Sequence, residues 1–152
     1  MGHHDSFNVR NNKSGNISEN KCKEFLESKS ILYTRYGFDA LFDIPGYKFS
    51  MIPEVLKCTP DYMVFNKIAS LLEVKGCSDV LRLKLLDMKA YDWWENIVPL
   101  SMFLHSSTYK EHKILKYKDL KKIAITCETD RYHDNNKEYY KIPWKRLGEK
   151  ND

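Results

Sequence analysis

Two carboxylates and one amine stand out in the middle of the chain. Asp61 follows Pro60, eleven residues intervene, and Glu73-Val74-Lys75 comes next inside an apolar run. Side chains alternate along a β-strand, so Glu73 and Lys75 share a face, about 6–7 Å apart. Residues 62–65 and 68–74 are short apolar runs joined by Asn66-Lys67, which predicts a β-hairpin. Asp61 then stands at the mouth of the partner strand, where it can complete the set. Such a set suits phosphodiester hydrolysis, which needs a hydroxide-like nucleophile, neutralisation of the phosphoryl oxygens and stabilisation of the leaving oxygen. Hard carboxylate oxygens hold Mg²⁺ or Mn²⁺. Mg²⁺ usually keeps several waters and takes one or two carboxylates, which matches Asp61 and Glu73, with the Val74 carbonyl as a third oxygen ligand. Lys75 would favour the deprotonated form of a nearby water, or stabilise the pentacovalent charge. The same residues also fit a plainer arrangement, because Glu and Lys two apart pair on surface strands and Pro-Asp opens turns.

The elements that position this set are read from periodicity. Residues 1–17 are polar, rich in Asn, Ser, Gly and Lys, and are expected to form a flexible lead-in that includes His3 and His4. With Ser18 as N-cap, Cys22, Phe25 and Leu26 fall at i, i+3 and i+4 and predict a helix over 18–28. Glu19 lies near the edge of that apolar face, whereas Glu24 points away. Residues 31–42 favour a strand interrupted at Gly37, Ile44-Pro45-Gly46 signals a turn, and 49–55 resumes an extended character. After the hairpin, Ser78 or Asp79 caps a long helix running through Trp94, apolar on most of its circumference and therefore buried. On that helix Arg82 and Lys89 are one heptad apart and either touch phosphates or lie on a solvated face. Tyr91, Trp93 and Trp94 either stack on unpaired bases or join the core. Residues 99–104 read as a buried strand, and 119–125 fits a helix or a strand equally. Beyond Glu128 the chain is polar except for Tyr139, Tyr140, Ile142, Pro143 and Trp144, an island that docks back on the domain. The order of elements predicts an α/β fold with a mixed β-sheet flanked by helices. One domain over 18–127, with 128–152 as an extension packed on it, is the expected organisation.

Composition sets the frame. A chain of 152 residues fits one core, and 42% apolar with 30% charged residues excludes a wholly disordered chain. The net charge of +4 suits a polyanionic partner without demanding one. Its surplus concentrates in residues 110–122, where Lys110, Lys113, Lys116, Lys118, Lys121 and Lys122 outnumber Glu111 and Asp119. That stretch is either a phosphate-contacting surface, with Lys113, Lys116 and Lys118 as DNA-binding candidates, or a solvated face. His105 and His112 follow the buried strand and either assist catalysis or sit on the surface. Cys22, Cys58, Cys77 and Cys127 form no CxxC pair and follow no secretory apolar segment, so reduced thiols in a cytoplasm are expected. No apolar run reaches the roughly 20 residues a membrane-spanning helix needs.

Thr59-Pro60-Asp61-Tyr62, the apolar strand and Leu72-Glu73-Val74-Lys75-Gly76 together resemble the PD-(D/E)XK nucleases. The surrounding pattern is similar to phage Holliday-junction resolving endonucleases, and Ile52-Pro53 shortly before Thr59 adds to the likeness. The resemblance spans residues 18–105. It implies a restriction-endonuclease-like core and an Mg²⁺- or Mn²⁺-dependent endodeoxyribonuclease in which Asp61, Glu73 and Lys75 are catalytic and Asp61, Glu73 and Val74 hold metal. In that subgroup a Glu on the first helix joins the metal site, and Glu19 matches it in spacing; the alternative for Glu19 is an acid stabilising the helix N-terminus. Branched or structured DNA in a phage-infected bacterial cytoplasm is the implied substrate and setting, and a homodimer the implied assembly. A sequence-specific or mismatch-nicking restriction-like enzyme, and a non-catalytic DNA-binding module on the same fold, are the alternatives.

Overall fold

The computed structural model describes residues 7–37, 48 and 50–148. Strand β2 (Tyr62–Asn66) and strand β3 (Ile68–Cys77) form the expected hairpin, in register from Tyr62↔Leu72 to Asn66↔Ile68. Lys67 alone makes the reversal, with φ 65° in the left-handed region. Strand β1 (Leu32–Arg35) pairs antiparallel with the free edge of β2. On the other side, β3 pairs in parallel with β5 (Leu100–Ser106), and β6 (Glu111–Lys116) closes the sheet antiparallel to β5. The result is a mixed five-stranded sheet ordered β1-β2-β3-β5-β6. A parallel pair needs a crossover. Here it consists of β4 (Val80–Lys84) and helix α3 (Leu85–Glu95).

Alternation along β3 sends Leu72 and Val74 to one face of the sheet and Leu71, Glu73 and Lys75 to the other. Helix α1 (Phe7–Ser28) covers the first face, where Cys22 and Leu26 pack on Tyr62, Val64, Leu72 and Phe103. The second face carries the larger core. There Leu71, Met102 and Leu104 meet α3, helix α4 (Tyr117–Ala124) and a second sheet ordered β4-β8-β7, in which β7 is Thr129–Arg131 and β8 is Glu138–Pro143. A short helix α2 (Glu54–Lys57) packs against α3, whose Trp94 indole N–H donates to the Val55 carbonyl at 3.0 Å.

Several elements differ from expectation, each for a local reason. Helix α1 already includes Phe7, so residues 7–17 are helical instead of a flexible lead-in. Ser18 is buried on the stripe Ser18, Cys22, Leu26 at four-residue spacing, and therefore packs where it was expected to cap. The long helix expected from Ser78 is a strand followed by a helix. Val80–Lys84 alternates, with Leu81 and Leu83 buried and Arg82 exposed, and β8 supplies the ladder that makes the period-two pattern win. Neither Ser78 nor Asp79 caps a helix, since α3 starts after Lys84. The expected extended segment 49–55 ends in α2, for which Pro53 presets the entry angle and Glu54 pairs with Lys57 at 3.8 Å. Residues 119–125 resolve as helix: Tyr117, Leu120, Ile123 and Ala124 make one buried stripe. The C-terminal island docks as expected, with β8 in the second sheet and Trp144 1% exposed. Residues 1–6, which hold His3 and His4, and 38–47, which hold the Ile44-Pro45-Gly46 turn, lie outside the described residues, as does Phe49.

Candidate active site

The hairpin brings Asp61 to Glu73-Val74-Lys75. Because Tyr62 opposes Leu72, the residue before Tyr62 stands level with the residue after Leu72. The Val74 backbone N–H donates to Asp61 Oδ2 at 2.8 Å. On the other side, the N–H groups of Tyr36 and Gly37 donate to the Asp61 carbonyl at 2.8 and 3.2 Å, which fixes its main chain against the end of β1. Helix α3 lays Asp87 and Tyr91, one turn apart, over the Glu73 and Lys75 side chains. The Tyr91 hydroxyl donates to Glu73 Oε1 at 2.7 Å. Lys75 Nζ lies 3.3 Å from the same oxygen and 3.4 Å from Asp87 Oδ2. Glu73 is the one carboxylate among the described residues that is buried, at 8% exposed. Leaving such a group in place is costly unless its charge is met by hydrogen bonds and counter-charge.

Glu19 reaches this group through an arginine. Arg35 of β1 sits 3.3 Å from Glu19 Oε2 and 3.6 Å from Asp61 Oδ1, on the α1 face of the sheet. Glu19 is thus part of the charge network but does not stand beside Glu73. Glu24 points away and pairs with Lys21, as its place on the helix predicts.

Electrostatics mark the spot. Burial, followed by the nearby Glu73 charge, pushes the Asp61 carboxyl up to about 8, against the Val74 N–H, Arg35 and Lys75. Burial also raises Glu73, although Lys75 and Tyr91 oppose it. Burial works against the Lys75 ammonium, yet Tyr91, Glu73 and Asp87 outweigh it and hold the amine well above the ordinary lysine range. Lys75 is therefore a cation at neutral pH and cannot act as a general base; its chemistry is electrostatic. Four carboxylates, Glu19, Asp61, Glu73 and Asp87, surround two cations, Arg35 and Lys75. The surplus negative charge, held in a desolvated place, is relieved by a proton or by a cation. The carboxylate oxygens of Asp61 and Glu73 are a donor set that fits Mg²⁺ or Mn²⁺.

Asp87, Tyr91 as a partner of Glu73, Arg35 and Cys58 went unread in the sequence. The Cys58 thiol lies 3.6 Å from Asp87 Oδ1 and 3.9 Å from Glu54 Oε1. Burial, then Asp87 and Glu54, pushes it up to about 12, so it stays protonated and is no nucleophile. The sequence signal for Asp87 and Tyr91 is their four-residue spacing, which a helix starting at Ser78 obscures.

The remaining candidates lie apart. Arg82 is on strand β4, so it does not share a helical side with Lys89, which is exposed on α3. Lys113 Nζ donates to the Trp144 and Leu147 carbonyls at 3.2 and 2.8 Å, a structural clamp. Lys118 pairs with Glu95 at 3.3 Å and Lys116 is exposed on β6. Tyr91 and Trp94 belong to the core, whereas Trp93 is half exposed. His105 and His112 oppose each other across β5 and β6 on the α1 face, with His112 stacked on Phe103, away from Glu73. Compared with family models, curated proteins and solved structures, this chain finds no match.

Proposed function

We propose that this protein is a metal-dependent DNA endonuclease built on a restriction-endonuclease-like core, acting on branched or otherwise structured DNA. The observation that carries the reading is that the hairpin holds Asp61 on the Val74 N–H, between buried Glu73 and cationic Lys75 that meet at 3.3 Å, where burial and then the Glu73 charge lift the Asp61 carboxyl to about 8. Burying more carboxylates than cations carries a desolvation cost that an arrangement serving stability alone can avoid by placing its charges toward water. The resemblance of the Pro60-Asp61 and Glu73-Val74-Lys75 segments to PD-(D/E)XK nucleases supports the same reading.

Asp61 and Glu73 would hold the divalent cation, which supplies charge neutralisation on the phosphoryl group and favours an ionised water. Lys75, fixed by Glu73 and Asp87, offers its ammonium to the developing phosphoryl charge. Tyr91 and Asp87 position Glu73 and Lys75, and Arg35 restrains Asp61 while Glu19 restrains Arg35. Glu19 acts in this scheme through Arg35.

The test is a cleavage panel of four-way junction, flap, single strand and matched duplex with Mg²⁺, Mn²⁺ or chelator. Wild type is expected to cut the junction or flap only with the metal, and Glu73→Ala and Lys75→Ala to lose roughly 10²-fold or more. Equal cutting by both variants, or cutting that persists in chelator, overturns the assignment. Cutting of matched duplex as fast as the junction would instead support a sequence-reading enzyme.

A further inference from the structure

The outward face of the second sheet carries a cleft that this scheme does not use. Along β4, Leu81 and Leu83 enter the core while Arg82 and Lys84 point outward. Register sets Arg82 level with Lys141 and Lys84 level with Tyr139 on β8, and Asp130 of β7 level with Tyr139. Paired residues share a face. Tyr132, just past β7, folds over it, with its ring 4.4 Å from that of Tyr139. The Arg82 guanidinium carbon lies 5.9 and 5.4 Å from the centres of the Tyr132 and Tyr139 rings, and Lys84 Nζ lies 5.5 Å from the former. Among the described residues Arg82, Lys84 and Lys141 have no carboxylate within 4.0 Å.

The cleft holds ≈ 450 Å³ and begins at Gly76, next in the chain to Lys75. Asp79 and Asp130 also line it. The Asp79 carboxylate accepts a hydrogen bond from the Ser78 hydroxyl at 3.0 Å, and that of Asp130 from the Arg131 N–H at 2.8 Å. Gly76 and Cys77 of its wall continue strand β3 directly from Lys75, so the cleft and the candidate active site are neighbours.

The mixture of groups selects the ligand. A phosphodiester group by itself only accepts hydrogen bonds, and two carboxylates in the wall would repel it. A nucleotide brings a flat π-face for Tyr132 and Arg82, phosphate oxygens for the cations, and base N–H donors for the carboxylates. A base inside a duplex hides its face in the stack, so only an unpaired one can use this wall. The volume falls in the range of about 300–1,000 Å³ typical of small-ligand sites. From these observations we infer that the cleft seats an unpaired nucleotide of the substrate strand beside the scissile phosphate. The place beside the cut rests on the nuclease reading, whereas the binding itself can be measured without any cutting.

In chelator, fluorescence anisotropy would follow a labelled short DNA single strand and the matched duplex, with wild type and with Arg82→Ala, Tyr132→Ala, Tyr132→Trp and Lys67→Ala chains. Wild type is expected to prefer the single strand, and Tyr132→Ala to lose about tenfold or more of that affinity. Tyr132→Trp should retain binding, and Arg82→Ala should reduce the slope of log affinity against log salt by about one. Lys67→Ala, a cation at the far hairpin tip, should change nothing. Because Arg82 is exposed and tryptophan preserves an aromatic platform, loss of folding in Tyr132→Ala cannot imitate the whole pattern. Single-strand binding by Arg82→Ala and Tyr132→Ala equal to wild type overturns the cleft, whatever the cleavage panel gives. Binding lost in those variants while wild type cuts nothing with any metal leaves the cleft standing and removes the nuclease reading.

Discussion

Asp61 is where charge, burial and pH meet. Its ordinary carboxyl value is 3.8, and the folded chain lifts it to about 8. Between those values the folded chain keeps a proton that the unfolded chain has released. The metal-free protein should therefore lose stability as pH rises from about 4 to about 8, and level off above that. Thermal midpoints in chelator would show the decline, and Asp61→Asn should flatten it; an unchanged slope in that variant would refute the placement of the charge. Added Mn²⁺ should raise the midpoint more at pH 8.5 than at pH 5.5, as expected of a cation that competes with the proton. Tyr91 permits a second measurement. Its hydroxyl donates to a buried carboxylate at 2.7 Å, so Tyr91→Phe removes one charge-assisted bond while leaving the ring. A loss of about 1.5–3 kcal/mol in urea unfolding is expected, together with slower metal-dependent cleavage. A variant as stable as wild type would mean that Glu73 finds its partner elsewhere.

At the scale of elements, strand β4 and the β2–β3 hairpin are the informative pieces. Leu83 is 0% exposed in β4, and Leu83→Ala should cost about 2–5 kcal/mol by the cavity it leaves, measured by denaturant unfolding. If residues 80–84 were the exposed turn of a helix, the cost would be small. In the hairpin, Lys67 holds a left-handed φ that glycine adopts without a Cβ penalty, so Lys67→Gly should stabilise by up to about 1 kcal/mol. The hairpin, the β5 strand and the docking of Trp144 were all legible, because each rests on a local apolar run. The placement of Asp61 beside the Glu73-Val74-Lys75 segment was legible for the same reason, since one hairpin and the residue that precedes it hold all three. Strand β4 was not: its partner β8 is distant in sequence, and Leu81, Leu83, Leu85 and Leu86 satisfy a helical pattern as readily as an alternating one. That one misreading also concealed Asp87 and carried Arg82 onto the wrong element. Helix α1 shows the opposite failure, because a polar stretch of Asn, Ser and Gly continues as helix ahead of the packed stripe and offers no periodicity to detect.

The whole molecule is a sheet between two cores, with the candidate site on the face that holds α3. The segment 128–148 is part of this body: β8 pairs with β4, Trp144 is 1% exposed, and its indole N–H donates to Glu111 at 2.6 Å. A chain shortened to residues 1–127 should therefore fail to fold cooperatively, visible as loss of the near-ultraviolet circular dichroism signal and of a sharp melting transition. A cooperative melt for the shortened chain would show instead that this segment only packs on a domain able to fold without it. Among the described residues no helix is long and apolar enough to cross a membrane. The pairing of β4 with β8 has a consequence for synthesis. While a ribosome is still adding the segment after β7, β4 has no partner edge, the Tyr139 wall does not exist, and the crossover that sets α3 over Glu73 lacks half its support. A nascent chain in that state can make its hairpin but lacks both the cleft and a fully supported α3, so under the proposed function any activity would switch on only after this late segment has emerged.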